Sequence, residues 1–304
     1  MNNINYTIII PHKDIPTLLL RCINSIPHRS DIEIIIVDDN STQTTKEILK
    51  QELPKTENIT IIYNNENHGG GAARNTGLEK AKGKWIIFAD ADDFFNYCIT
   101  DILDQYKDSL ADIIYFKGNS VDTDTYITTH RADHLNKWID LHKKNPNKSN
   151  LYLRFLFGEP WCKIIRKSII DQYKIRFDET PIHNDTTFSY LIGFHAKTIA
   201  VDNRALYCVT TRENSVSVSI NPQKELIRID VFSRAEHFFR KNNIPININW
   251  HYNQCTIFLI KGQLKYYKEA IKLIKKNSPF TLQSYLYFIK FFIKNFIKRL
   301  LFKL

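Results

Sequence analysis

At 304 residues, with 43% hydrophobic and 24% charged content, the chain is long enough for one large domain plus an appendage, and its composition excludes a disordered protein. Its five cysteines, Cys22, Cys98, Cys162, Cys208 and Cys255, are scattered and form no Cys-x-x-Cys pair, which argues against a zinc module and reads as reduced packing residues. The net charge of +10 is concentrated: from Lys241 onward twelve Lys and Arg stand against the single acid Glu269, so residues 1–240 carry a net −1, and a nucleic-acid groove across the whole protein is not expected.

The first part alternates short apolar runs with helical segments. Tyr6–Ile10, Ile32–Val37, Ile59–Tyr63, Trp85–Ala89 and Asp112–Phe116 are rich in Ile, Val and aromatics and predict buried strands. Between them, Ile15–Ile26, Gln43–Gln51, Gly71–Ala81 and Ile99–Tyr106 predict helices. This alternation implies an α/β domain with a mainly parallel central sheet flanked by helices. Ligands of such sheets sit beyond the carboxyl ends of the strands. Four polar clusters fall there: Pro11-His12-Lys13-Asp14, Asp38-Asp39-Asn40-Ser41, Asn65 through Gly71, and Asp90-Ala91-Asp92-Asp93.

The last cluster is the most informative. Three carboxylates within four residues repel one another unless a cation or a set of donors compensates. Hard oxygen ligands of this kind suit Mn²⁺ or Mg²⁺, which commonly hold nucleotide phosphates. Taken alone, the run also fits a solvated strand-to-helix turn. Asn40 and Ser41 equally fit a helix cap, and the Gly69-Gly70-Gly71 triplet lacks the spacing of a phosphate-binding fingerprint.

Ile8-Ile9-Ile10-Pro11, Ile36 through Thr42, Asn67 through Gly77 and Phe88 through Asp93, in that order, closely resemble the family 2 glycosyltransferases of bacterial polysaccharide and lipooligosaccharide synthesis. The resemblance covers about the first 115 residues and continues more weakly to about residue 220. There Trp161-Cys162-Lys163, His183 through Phe188, Tyr207 and Asn214-Ser215-Val216-Ser217 resemble later family segments. It implies a GT-A fold, a nucleotide-sugar donor, a divalent metal and inversion at the anomeric carbon. Carried over by position, Pro11, Asp39 and Arg74 would hold the nucleoside. Asp90 would contact ribose or metal-bound phosphate, and Asp92, with Asp93, would bind Mn²⁺ or Mg²⁺. Asp185 matches the general base. Two departures stand out: His12-Lys13-Asp14 replaces the usual aromatic-Asn after the proline, and Asn184 replaces the Glu before the base. Read from residue chemistry alone, Asp185 is an N-cap of the helix that follows it and Arg74 fits a solvated helix position.

The resulting domain expectation is a GT-A glycosyltransferase domain over 1–220, with a nucleotide-sugar-binding half at 1–117 and an acceptor-binding half at 118–220, followed by a helical, basic region at 221–304. Within the latter, residues 280–304 are dense in Phe, Ile, Leu and Tyr, with Lys290, Lys294 and Lys298 four residues apart. That pattern predicts an amphipathic helix with a broad apolar sector. Interior lysines argue against a spanning helix, leaving either an anionic membrane surface or the body of the protein as its partner. Met1 through Asn5 carries no basic-then-apolar leader pattern. The expected location is cytoplasmic, peripherally associated with the inner face of a bacterial membrane.

The leading expectation is transfer of a sugar from a nucleotide-diphosphate donor, with UDP favoured by the resemblance, to a glycan or lipid-linked acceptor, with no nucleic-acid partner. Two other readings remain open. A sugar-phosphate nucleotidyltransferase would use a similar sheet, but its Gly-rich loop after the first strand is absent here. A catalytically silent membrane-associated scaffold would have no need of Asp39, Asp92 and Asp185.

Overall fold

A computed structural model describes residues 4–212 and 221–302. The chain divides into two compact units, Met1–Ser215 and Val216–Leu304. The Asn214–Ser217 resemblance lies outside the described residues.

The first unit runs β1 (Tyr6–His12), α1 (Pro16–Asn24), β2 (Ile32–Asp38), α2 (Gln43–Glu52), β3 (Ile59–Tyr63), α3 (Gly69–Lys80), β4 (Trp85–Phe88), β5 (Phe94–Phe95), α4 (Ile99–Tyr106), β6 (Ile113–Asp122), α5 (Asp133–Lys144), α6 (Pro146–Leu156), β7 (Lys163–Arg166), α7 (Lys167–Gln172), α8 (Thr186–His195) and β8 (Ile199–Thr211). The strands form one sheet in the order β3-β2-β1-β4-β7-β6-β8-β5. The four N-terminal strands pair in parallel, as their apolar runs predict. The rest of the sheet is mixed, so that the whole is mainly parallel, as expected, with short antiparallel pairings added. β7 runs antiparallel to both β4 and β6, and β5 antiparallel to β8, while β6 and β8 are parallel.

Ile8, Ile9, Ile10 and Ile36 have no exposed surface, because β1 and β2 lie inside the sheet with both faces covered. Local signals set the helix starts. Pro16 occupies the first turn of α1, where its missing N–H costs nothing. Thr42 caps α2 by accepting from Thr45 N–H. Residue 117 falls inside β6, so the two functional halves named above share one sheet and one core.

The second unit is helical: α9 (Pro222–Lys241), α10 (Trp250–Ile260), α11 (Leu264–Asn277) and α12 (Leu282–Phe302). Its core gathers Leu226, Ile229, Tyr252, Cys255, Phe258, Ala270 and Ile274. No helix among the described residues is long and apolar enough to cross a membrane. All five cysteines are free.

Candidate active site

The parallel register sets the carboxyl ends of β1, β2 and β4 side by side, and the polar clusters follow from it. His12 pairs with Asp38 across β1 and β2. Its Nδ1 lies 3.0 Å from the Asp38 carboxylate, with both side chains fully buried. Ile15 N–H donates to Nε2, which makes Nδ1 the protonated nitrogen that donates to Asp38. Burial pushes Asp38 up, but hydrogen bonds from His12 and Ser41 outweigh it and hold the carboxyl below its ordinary value. His12, a departure from the family pattern, thus clamps two strand ends. Pro11 precedes it, partly exposed at the end of β1.

Asp39 is 5% exposed and accepts from the backbone N–H groups of His68 at 3.0 Å and Gly69 at 2.7 Å. A carboxylate here satisfies donors at the start of α3 and complements its dipole. Asn40 and Ser41 do not cap α2. Asn40 takes a left-handed turn at φ 61°, and Ser41 Oγ accepts from Asp14 N–H. Of the three glycines, Gly69 adopts φ 85°, and Gly71 lies so close to Asp178 that a Cβ would stand 2.0 Å from its carbonyl oxygen.

The acidic run turns off β4 and is fastened to β8. Asp90 N–H donates to the Tyr207 hydroxyl at 2.7 Å. The Asp92 carbonyl accepts from Arg21 and Thr210, and its carboxylate pairs with Arg212 at 3.2 Å. Asp93 is 3% exposed and accepts from Thr210 N–H at 2.7 Å. Burial, then the charge of Asp90, raises Asp92; burial, then Asp92 and Asp90, raises Asp93 well above the carboxylate range. Among the described residues, no three His, Cys, Asp or Glu side chains close a metal cage by themselves. Hard carboxylate oxygens destabilised by mutual repulsion nevertheless fit a divalent cation whose other ligands come from phosphates and water.

Arg74 is buried, not solvated. Its guanidinium donates to Asp90 at 2.5 Å and to Asn184 at 3.1 Å, and it lies over the Phe177 ring. One side chain of α3 therefore joins the acidic turn to the residue preceding Asp185.

Asp185 stands at the N-cap position of α8, but its side chain makes no cap hydrogen bond. Burial pushes its carboxyl up to about 6, with the charge of Glu159 adding to the rise and Arg74 opposing it. A carboxylate so placed is suited to proton transfer near neutral pH. Behind it, Lys163 is fully buried on β7 and donates to the Phe157 carbonyl at 2.7 Å and to Ser189 Oγ at 3.2 Å. Burial lowers its ammonium to about 7, against the charges of Glu159 and Asp185. Glu159 in turn pairs with His134 at 2.9 Å. Burial pushes Glu159 up, yet the His134 hydrogen bond and charge prevail and hold it low.

Arg74, Asp90 and Asp185 are thus neighbours, with Asp92 beside Asp90. Asp39 lies at the start of the helix that carries Arg74. Trp161 is 4% exposed and stacks on Tyr207 within the core. Sequence reasoning missed Arg21, Arg212, Glu159 and His134, since lone charged residues far apart in the chain carry no local signal. Lys163 was visible within its motif, but not its burial.

The sequence profile described as "Glycosyl transferase family 2" matches residues 7–174. The poly(ribitol-phosphate) beta-glucosyltransferase of Bacillus spizizenii is 40% identical over 233 residues, which cover 71% of this chain and 34% of that protein. The chain thus spans about a third of that relative's length. Among solved structures, residues 1–349 of S. aureus TarS in complex with UDP-GlcNAc superpose with a TM-score of 0.60 at 18% identity, covering 97% of this chain and 81% of that one. A mannosyltransferase of Pyrobaculum calidifontis in complex with GDP-Man and Mn²⁺ superposes with a TM-score of 0.53 at 12% identity, covering 95% and 79%. These likenesses establish the GT-A fold.

Proposed function

The chain belongs to glycosyl transferase family 2, and from that premise we propose that it is an inverting glycosyltransferase of bacterial surface-polymer synthesis. It takes a sugar from a nucleotide-diphosphate donor, UDP-linked by analogy with the TarS complex, and delivers it to a hydroxyl of a glycan or lipid-linked acceptor. The observation that carries this reading is Arg74, which links the acidic turn of Asp90 to Asn184 and so brings Asp185 beside the proposed donor site.

In this reading Asp185 accepts the proton of the acceptor hydroxyl as that oxygen bonds to the anomeric carbon. The bond from that carbon to the diphosphate breaks on the opposite face, which inverts configuration. Asp92, with Asp90 beside it, would hold Mn²⁺ or Mg²⁺, and when bound this ion supplies positive charge for the departing diphosphate. Asp93, named above as a second metal carboxylate, is here assigned to anchoring the turn through Thr210 N–H, because its side chain is almost wholly buried. Arg74 keeps Asp90 oriented. Pro11 and Asp39 border the nucleoside site, where Asp39 braces the start of α3 and its remaining lone pairs can accept from the base.

The basic second unit is proposed to hold the enzyme on the cytoplasmic face of an anionic membrane, where a lipid-linked acceptor is presented. The deciding experiment is a panel of nucleotide sugars with Mn²⁺, screened by thermal shift and followed by transfer to a hydroxyl acceptor with the product anomer read by NMR. Inversion is expected; retention would overturn the mechanism, and release of pyrophosphate from a nucleoside triphosphate and sugar phosphate would replace it with nucleotidyl transfer.

A further inference from the structure

His134 and Glu159 meet across 25 positions of chain, and each is held in place by its neighbours. His134, on α5, stands two residues before Asn136. The Asn136 side chain donates to the Gly118 carbonyl at 2.7 Å and accepts from Gly118 N–H at 3.0 Å, which fastens the helix to β6. Glu159 lies in the turn before β7, where the preceding Gly158 carbonyl accepts from Ser189 Oγ and the Phe157 carbonyl accepts from Lys163. Ser189 belongs to α8, and its N–H donates to the Asp185 carbonyl at 2.9 Å. The turn that carries Glu159 is therefore bonded to the first turn of the helix that Asp185 begins.

Hydrogen-bond geometry fixes the charge of His134. Its Nδ1 lies 2.9 Å from the Arg131 carbonyl oxygen and its Nε2 lies 2.9 Å from Glu159 Oε1. Both partners are acceptors, so both ring nitrogens must donate, and the ring is an imidazolium. The Glu159 hydrogen bond raises the imidazole above its ordinary value against the cost of burial, and the charge of Lys137 opposes the rise. The pair borders solvent, with His134 50% and Glu159 28% exposed. On its other side, Asp185 faces Glu159, Arg74 and Asp90, and its own charge reaches Lys163. Glu159 is the member of this set whose charge is balanced by a histidine.

We propose that His134 is a positioning residue of the transfer reaction: as an imidazolium it screens Asp185 from the charge of Glu159. The proposal rests on the reading of Asp185 as the base and deepens it, placing control of that base on an ion pair at the protein surface. Without the imidazolium, Glu159 and Asp185 would titrate as a pair of like charges, and the base would be fully ionised only at higher pH. Lys163, whose ammonium is lowered to about 7, is already charged over the acid limb set by Asp185 and does not offset this.

The test is a pair of titrations on the full chain. One follows the Asp185 carboxyl by ¹³C NMR; the other follows UDP release against pH from a mixture of UDP-glucose, UDP-galactose and UDP-N-acetylglucosamine with Mn²⁺. Wild type is compared with His134→Gln, Glu159→Gln, the double variant and Lys137→Gln. Glutamine at 134 keeps a donor for Glu159 and removes the charge, while Lys137→Gln removes a cation from the same helix. His134→Gln should move both titrations up by about 0.5–1 in pH, and Glu159→Gln should move them down. The double variant should coincide with Glu159→Gln, because His134 then has no carboxylate to neutralise, and Lys137→Gln should leave both near wild type. A His134→Gln titration that matches wild type would overturn the proposal. So would a double variant displaced from Glu159→Gln by as much as His134→Gln is from wild type, since His134 would then not act through Glu159. The expected NMR displacements in a wild type that releases no UDP would leave the screening of Asp185 standing and overturn the transferase reading on which its use depends.

Discussion

The Arg74 guanidinium reaches the Asn184 side-chain oxygen at 3.1 Å across 110 positions of chain. Through it, the helix after β3 sets the position of the segment that carries Asp185. The residue that departs from the family pattern before the base is therefore in use: a neutral amide accepts from Arg74, leaving the arginine's charge to Asp90.

Asp185→Asn should lower transfer by about 10²–10⁴, the range for a general base, while donor binding measured by calorimetry stays unchanged. Near-normal turnover would remove Asp185 from the mechanism.

The pH profile follows from the same group. Because its carboxyl is raised to about 6, kcat/KM should rise as Asp185 ionises and reach a plateau above neutrality. Glu159 and Asp90 push this limb up and Arg74 pulls it down. Glu159→Gln should shift the limb to lower pH by removing a like charge; a limb that does not move would assign it to another group.

Arg74→Lys keeps the charge but cannot serve Asp90 and Asn184 with the same planar fork. It should weaken donor binding and slow turnover together. Arg74→Ala leaves Asp90 without its partner and should cost about 3 kcal/mol in denaturant unfolding, at the low end for a broken buried pair because Asp90 is partly exposed.

Gly71→Ala places a methyl group against the Asp178 carbonyl. Asp178 N–H donates to the Asn184 carbonyl, so any displacement is passed toward Asp185. The variant should lose about 1–3 kcal/mol of stability, with activity falling further than stability explains. Gly70→Ala, whose nearest neighbour is the end of the Arg74 side chain, should fold normally by circular dichroism.

Lys163 gives a pH signature of folding. Its ammonium falls from the ordinary lysine value to about 7 in the folded protein, so between about 7 and that value the unfolded chain binds more protons. Its contribution to stability therefore grows as pH rises through this window and is least below pH 7. Lys163→Met leaves the Phe157 carbonyl without its donor and should cost about 1–3 kcal/mol at alkaline pH. The deficit should shrink as pH falls toward 7, read from urea midpoints across that range.

The parallel half of the sheet was legible because buried parallel strands are written as unbroken apolar runs, and Ile8-Ile9-Ile10 is such a run. The antiparallel β7 was not, since Lys163-Ile164-Ile165-Arg166 carries no mark of its direction. Residue chemistry alone would have made Asp185 a helix cap, and the fold leaves its side chain uncapped.

The chain's linear order alone determined the alternation of strand and helix, the acidic turn after β4, the family resemblance and the basic tail, because these depend on periodicity and on neighbours a few residues apart. Tertiary structure alone decided that Arg74 is buried between Asp90 and Asn184, that Asp93 is turned to Thr210 while Asp92 stays partly open, and that His134 reaches Glu159. Those outcomes rest on the burial and pairing of charges from distant segments, and the electrostatic cost of each depends on surroundings that exist only once the chain has folded.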